Sequence, residues 1–178
     1  RVLRTAARDR DGVPRDGRRR LPLRGPRLTI FTQDGYRCRL DWGHHGARQA
    51  AERGDITVIV DTLSFSSAVA TAVQHDAVIY PCATTDDLEA LGRRHGAEIA
   101  VRRHEVPAKG RFSLSPLTYV GIEAGTRIII ASPNGAACSA HGRSAPHLLV
   151  GALNNARAVA AAVSSLLDRT PLAVTVVA

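Results

Sequence analysis

Asp61 closes the apolar run "ITVIV" and is followed by small hydroxyl residues, Ser64, Ser66 and Ser67, before helical spacing begins. Two other junctions share this small, polar character: "ASPNGAA" at 131–137 and "VGALNNA" at 150–156. Helix starts carry unpaired amide donors at the positive end of the helix dipole, so such junctions favour anions. An Asp of ordinary pKa, about 3.9, is ionised at neutral pH and repels a phosphate unless a cation stands between them. Mg²⁺ fills that place with one or two carboxylates, waters and substrate oxygens. The residues therefore point to metal-assisted chemistry on a phosphate ester, with Asp61 as metal ligand and water as the attacking group. The plainer alternative makes Ser66, Ser67, Asn154 and Asn155 ordinary helix N-caps.

Several other chemistries are excluded by the residues themselves. The chain has no G-x-x-x-x-G-K-[ST], G-x-G-x-x-G or G-x-S-x-G pattern, and Lys109 is its only lysine, so a P-loop is ruled out. Phosphatases that form an aspartyl-phosphate commonly carry a second Asp two residues after the first, where this chain has Leu63. Cys38, Cys82 and Cys138 are odd in number and far apart, which indicates reduced structural thiols and neither a disulfide framework nor a zinc site. The His spacings do not reproduce a helical zinc motif; His44 and His45 are adjacent, and His141 and His147 lie six apart.

The elements that must position Asp61 can be read from periodicity. "LTIFT" and "YRCRLDW" flank Asp34-Gly35, a hairpin turn signal, so an antiparallel pair is expected to open the domain. Strands and helices then alternate: helix "GARQAAERG", strand "ITVIV", helix from about Ser66 to Gln74, strand "AVIY", helix "DDLEALGRRHG" and strand "AEIAV". Asp86 with Glu89 reads as a capping box, and Gly96 as the C-terminal stop. Residues 102–126 break the rhythm and read as a long loop of the kind that carries function. Strand "RIIIA", a short helix, strand "HLLVG", helix "NNARAVAAAVSSLLDR" and strand "LAVTVVA" complete the chain. In the last helix Ala156, Val159, Ala160, Val163, Leu166 and Leu167 share one face. This alternation implies an α/β fold with a mostly parallel sheet covered on both sides. Ligands of such sheets bind outside the carboxyl ends of the strands. The three polar junctions are accordingly expected to converge on one crevice.

The formal charge of +8 does not mark the domain as a nucleic-acid binder, because of where it sits. Residues 1–27 hold ten Arg against three Asp, while residues 28–178 hold fourteen basic against thirteen acidic residues. That leading stretch is expected to be a disordered Arg-rich tail, and residues 28–178 a single domain. Aromatic residues make up 4% of the chain, too few for a base-stacking platform, so nucleic acid is not an expected partner. No apolar run approaches the roughly 18 residues of a membrane span and no secretory signal opens the chain, so a cytoplasmic location is expected. Homodimerisation is the default for a small α/β enzyme.

Five segments, in consistent order over roughly residues 28–178, resemble the 2-phosphosulfolactate phosphatase family. "VIVDTLSFSSAVATAV" resembles its opening strand, which ends in Asp followed by Leu-Arg-Ala and hydroxyl residues; "IIIASPNGAACSA" resembles its strand followed by Thr-Asn-Gly. "LLVGALNNARAVAAAV" is similar to its Gly...Asn-Ala-x-Ala helix start, and "LDWGHHGA" and "SLSP" resemble further segments of bacterial members. The resemblance implies a three-layer α/β/α fold and an Mg²⁺-dependent phosphatase. Its type reaction is hydrolysis of 2-phosphosulfolactate to sulfolactate and phosphate, on a route to coenzyme M. Matching positions make Asp61 and Asn134 the catalytic residues, Asp61 the metal ligand, and Ser66, Ser67, Gly135 and Asn155 the phosphate-binding residues. Ser64 stands where the family pattern has Arg, which removes a bidentate partner for phosphate or sulfonate and points to a related phosphorylated acid as substrate. The family continues past the strand matching "LAVTVVA", so this chain is expected to be C-terminally truncated, with weak or absent activity. A non-catalytic anion-binding domain that keeps the fold is the alternative.

Overall fold

The computed structural model describes residue 33 and residues 35–178. The expected tail over 1–27 and the first arm of the expected hairpin, 28–32, lie outside the described residues. A turn bond from the Tyr36 N–H to the Gln33 carbonyl, 3.0 Å, marks the expected turn. The strand that follows does not pair antiparallel with any described residue. Every strand pair among the described residues is parallel.

Among the described residues seven strands and five helices follow in chain order: β1 Cys38–Asp41, α1 Gly43–Glu52, β2 Ile56–Ile59, α2 Phe65–Gln74, β3 Val78–Cys82, α3 Leu88–His95, β4 Glu98–Ile99, β5 Arg127–Ala131, α4 Gly135–His141, β6 His147–Val150, α5 Ala156–Arg169 and β7 Val174–Val177. The strands form two sheets, ordered β1-β7-β2-β6 and β3-β5-β4. In the first, Ile59 stands level with Val150 of β6 and Val177 of β7, so these strands end at one rim.

The continuous apolar strands are explained by burial on both faces. On one face of the first sheet Ile59 and Val177 pack with Ala47 of α1 and Cys138 of α4. On the other, Ile56, Val58 and Val174 meet Val159, Val163, Leu166 and Leu167 of α5, the face expected from their spacing. The first sheet thus has helices on both sides. In the second sheet Ile128 and Ile130 of β5 pack with Phe65, Ala68, Val69 and Ala72 of α2.

Helix α3 starts one residue later than its sequence suggests. Asp87 is the N-cap and accepts from the Ala90 N–H at 2.9 Å, while Asp86 turns back to accept from the Ala83 N–H at 2.8 Å. Gly96 ends the helix in the left-handed conformation, φ +58°, which glycine adopts without a Cβ penalty.

The long loop between β4 and β5 is packed down, with 3-10 turns at Arg103–Glu105 and Pro116–Tyr119. Phe112 and Tyr119 stack with ring centroids 5.4 Å apart inside the core. The Tyr119 hydroxyl donates to the Ser113 carbonyl at 2.7 Å, and burial pushes its phenol pKa up. These two anchors hold the rest of the loop against α2 and over the carboxyl ends of the strands.

Candidate functional site

Asp61 lies two residues beyond β2, in a loop whose backbone is tied down by the two serines after it. Ser66 Oγ accepts from the Asp61 N–H at 2.9 Å and faces the Ile59 carbonyl at 3.3 Å, while the Ser66 N–H donates to the Asp61 carbonyl at 2.8 Å. Ser67 Oγ donates to the Thr62 carbonyl at 2.7 Å. Both hydroxyls therefore stiffen the Asp61 loop, and Ser66 is fully buried.

The Asp61 carboxylate reaches the start of α4, where its Oδ2 accepts from the Gly135 N–H at 2.9 Å. Among the described residues this is the hydrogen bond that the carboxylate receives. The next two amides of α4 are also paired, Ala136 N–H with Ser132 Oγ at 2.9 Å and Ala137 N–H with the Ser132 carbonyl at 3.3 Å. The open amides expected at 131–137 are thus already occupied, by Asp61 and Ser132.

Gly135 is required at this contact. A Cβ there would run into the Phe65 ring at Cδ1 and lie 2.9 Å from Asp61 Cβ. Phe65 is itself buried in the core and has no room to retreat. Overpacking of this kind costs about 1–3 kcal/mol. Gly135→Ala is expected to lower the melting temperature by roughly 3 to 10 °C; an unchanged melting curve would contradict this close packing.

Asp61 and Asn134 line one open cavity of about 690 Å³, between the carboxyl ends of β2 and β5. Ser64, Ser132, Thr84 and the pair Arg102 and Arg103 share its wall. From the neighbouring α1, the His44 ring braces the turn, with Nε2 2.7 Å from the Pro133 carbonyl. A carbonyl only accepts, so Nε2 carries the proton.

Asn155 does not join this cavity. Its Oδ1 accepts from the Ala152 N–H at 2.7 Å and its Nδ2 donates to the Val150 carbonyl at 3.0 Å, closing its own loop. Gly151, Ala152 and Ala156 border a separate apolar cleft of about 350 Å³ against α5. The physical reason is the layering: α4 packs on one face of the first sheet and α5 on the other. Two of the three expected junctions therefore share a hollow, and the third opens elsewhere.

Ser64, Arg102 and Arg103 complete the wall from positions that were not singled out as ligands. Ser64 Oγ donates to the Leu114 carbonyl and accepts from Arg103 Nη2. A signal was present in "VRRHE", two adjacent arginines inside an aperiodic loop. Cys138, behind Asp61, is a packed thiol: burial pushes its pKa up, and the Asp61 charge raises it further.

A group of three His, Cys, Asp or Glu side chains able to cage a metal does not occur among the described residues. The donor set at the cavity is one carboxylate with amide and hydroxyl oxygens. Such hard, sparse oxygen donors fit Mg²⁺, which keeps waters and takes substrate oxygens, better than Zn²⁺, which prefers nitrogen and sulfur. Among the described residues no helix is long and apolar enough to cross a membrane.

A model of the 2-phosphosulpholactate phosphatase family matches residues 44–178. No curated protein matches the chain. The matched span contains Asp61, Asn134, Gly135 and the whole cavity wall.

Proposed function

The chain belongs to the 2-phosphosulpholactate phosphatase family, and from that premise we propose that it is an Mg²⁺-dependent phosphoric-monoester hydrolase acting on 2-phosphosulfolactate or a related phosphorylated acid. One observation carries this reading. Asp61 is fixed from behind by the Gly135 amide while its side chain lines an open cavity, so one carboxylate oxygen is held in place and the other is left for a ligand.

Hydrolysis adds one water across the phosphate ester. The water oxygen bonds to phosphorus, the ester oxygen leaves with its bonding pair, and that oxygen gains a proton to give the hydroxy acid and inorganic phosphate. Asp61 would hold the metal ion, which when bound neutralises phosphate charge and lowers the pKa of water. Asn134, exposed at the cavity mouth, would offer its amide to a phosphoryl oxygen or to the attacking water. Ser66 and Ser67 act one step back, by stiffening the loop that aims Asp61.

The test is phosphate release from 2-phosphosulfolactate, phosphoglycolate, 2-phosphoglycerate and ethyl phosphate. Release should require Mg²⁺, stop with EDTA and return when Mg²⁺ is restored. Release that ignores EDTA contradicts the metal. No release from any ester, together with a raised melting temperature in their presence, supports a non-catalytic anion-binding domain instead.

A further inference from the structure

The charged side chains lining the cavity are Asp61, Arg102 and Arg103, which leaves one positive charge in excess. Arginine stays protonated at any working pH. A divalent ion on Asp61 would raise the excess to three, and a phosphate monoester of about −2 would reduce it to one. The site as built thus has room for a second acidic group, and the cavity of about 690 Å³ is far larger than one phosphate needs.

Arg103 is the side chain best placed to receive that group. Its Nη2 donates to Ser64 Oγ and also reaches the Leu114 carbonyl at 3.5 Å. Ser64 gives its own proton to that same carbonyl, so its lone pair is free to accept from the guanidinium. Ser64 is buried at 8% exposure, and Leu114 packs against the core cluster, so the anchor is rigid. Arg103 has no carboxylate partner among the described residues, and its remaining donors leave from the other edges of a planar group held at one corner. An anchored fork of this kind matches a carboxylate or sulfonate with little ordering left to do.

The geometry points to Arg103, docked on Ser64, as the residue that binds a non-transferred acidic group, carboxylate or sulfonate, and so selects esters that carry one over simple ones. This rests on the phosphatase reading for its charge balance and its kinetic arm, while the binding arm needs no turnover. In the binding arm, sulfoacetate, which carries a carboxylate and a sulfonate but no ester, is titrated calorimetrically into the wild-type chain, Arg103→Gln and Arg103→Lys. Loss of charge-assisted hydrogen bonds should weaken binding by Arg103→Gln at least about tenfold, with Arg103→Lys in between. In the kinetic arm, the KM for 2-phosphosulfolactate should rise by a similar factor in Arg103→Gln, while that for ethyl phosphate moves less than about twofold.

Wild-type sulfoacetate affinity in Arg103→Gln, or none in the wild type, overturns the inference. Equal KM changes for both esters would also overturn it, because Arg103 would then serve the phosphate. If no ester turns over but sulfoacetate binding depends on Arg103, the phosphatase reading fails and the assignment of Arg103 stands. A melting curve for each variant separates these outcomes from misfolding, and the lysine variant keeps the charge if glutamine destabilises the loop.

Discussion

Asp61→Asn should lower kcat/KM for phosphate release by about 100-fold or more, a barrier increase of about 2.7 kcal/mol, with a melting temperature within about 3 °C of wild type. The reason the two effects separate is local. An asparagine keeps an oxygen that can accept from the Gly135 N–H, so the start of α4 remains capped. The bonds that Ser66 makes to residue 61 go to its backbone and are untouched by the exchange. What disappears is the negative charge facing the cavity, and with it the affinity for a divalent cation. Initial rates at the Mg²⁺ concentration that half-activates the wild type measure the effect. A rate close to wild type would remove Asp61 from the chemistry, and a collapsed melting temperature would make its role structural.

The largest effect on stability is expected at the far end of β2. Asp55 is buried at the amino end of that strand, where Arg39 Nη1 lies 3.0 Å from both its oxygens and Arg53 Nε 2.9 Å from Oδ2. Thr175 Oγ1 donates to Oδ2 at 2.7 Å, so one carboxylate ties β1, β2, β7 and the end of α1 together. Asp55→Ala leaves the Arg39 guanidinium without its carboxylate and Arg53 with only the more distant Asp41 carboxylate, 3.9 Å away. Breaking a buried pair costs about 3–5 kcal/mol, and the partial exposure of both arginines, 12% and 21%, argues for the lower end. The melting temperature should fall by about 10 °C.

The pH dependence of that difference has a definite sign. Burial alone raises the Asp55 pKa, but the hydrogen bonds from Thr175 and Arg53 and the charge and hydrogen bond of Arg39 outweigh it, so the pKa lies below its ordinary value. A carboxyl with a lowered folded-state pKa stabilises the fold above its unfolded pKa of about 3.9, and that contribution is lost as pH falls through the folded value. The gap between wild type and Asp55→Ala should therefore be full near neutral pH and shrink below about pH 4. A gap that stays constant into acid would mean that the ionised form is not what stabilises.

Much of the fold was legible because the apolar signals were strong. "RIIIA" reads as a buried strand, and Ile128, Ile129 and Ile130 are fully buried. The face of α5 was legible from spacing for the same reason. Division into two sheets was not, since periodicity says which residues face a core but not which strands pair. The start of α3 was displaced by one residue because Asp86 and Asp87 offer the same side chain, and only their geometry distinguishes a cap from a turn.

The site shows the same division. That Asp61 and Asn134 would share a hollow was legible from their places after strands of a parallel fold. Ser66, Ser67 and Asn155 were legible as small polar residues at helix starts, but residue type does not reveal whether a side chain faces a ligand or its own loop. Here all three close their own loops. The place of Arg103 on the cavity wall was not legible beyond the paired arginines of "VRRHE", because residues 102–126 have no period and are placed by the burial of Phe112 and Tyr119.

Binding of Mn²⁺, the paramagnetic stand-in for Mg²⁺, followed by electron paramagnetic resonance, tests the central claim most directly. Wild type should take up one ion per chain, more tightly when inorganic phosphate is present, and Asp61→Asn should bind it at least about tenfold more weakly. Equal binding by the two proteins, or no ion bound by wild type, would contradict the account.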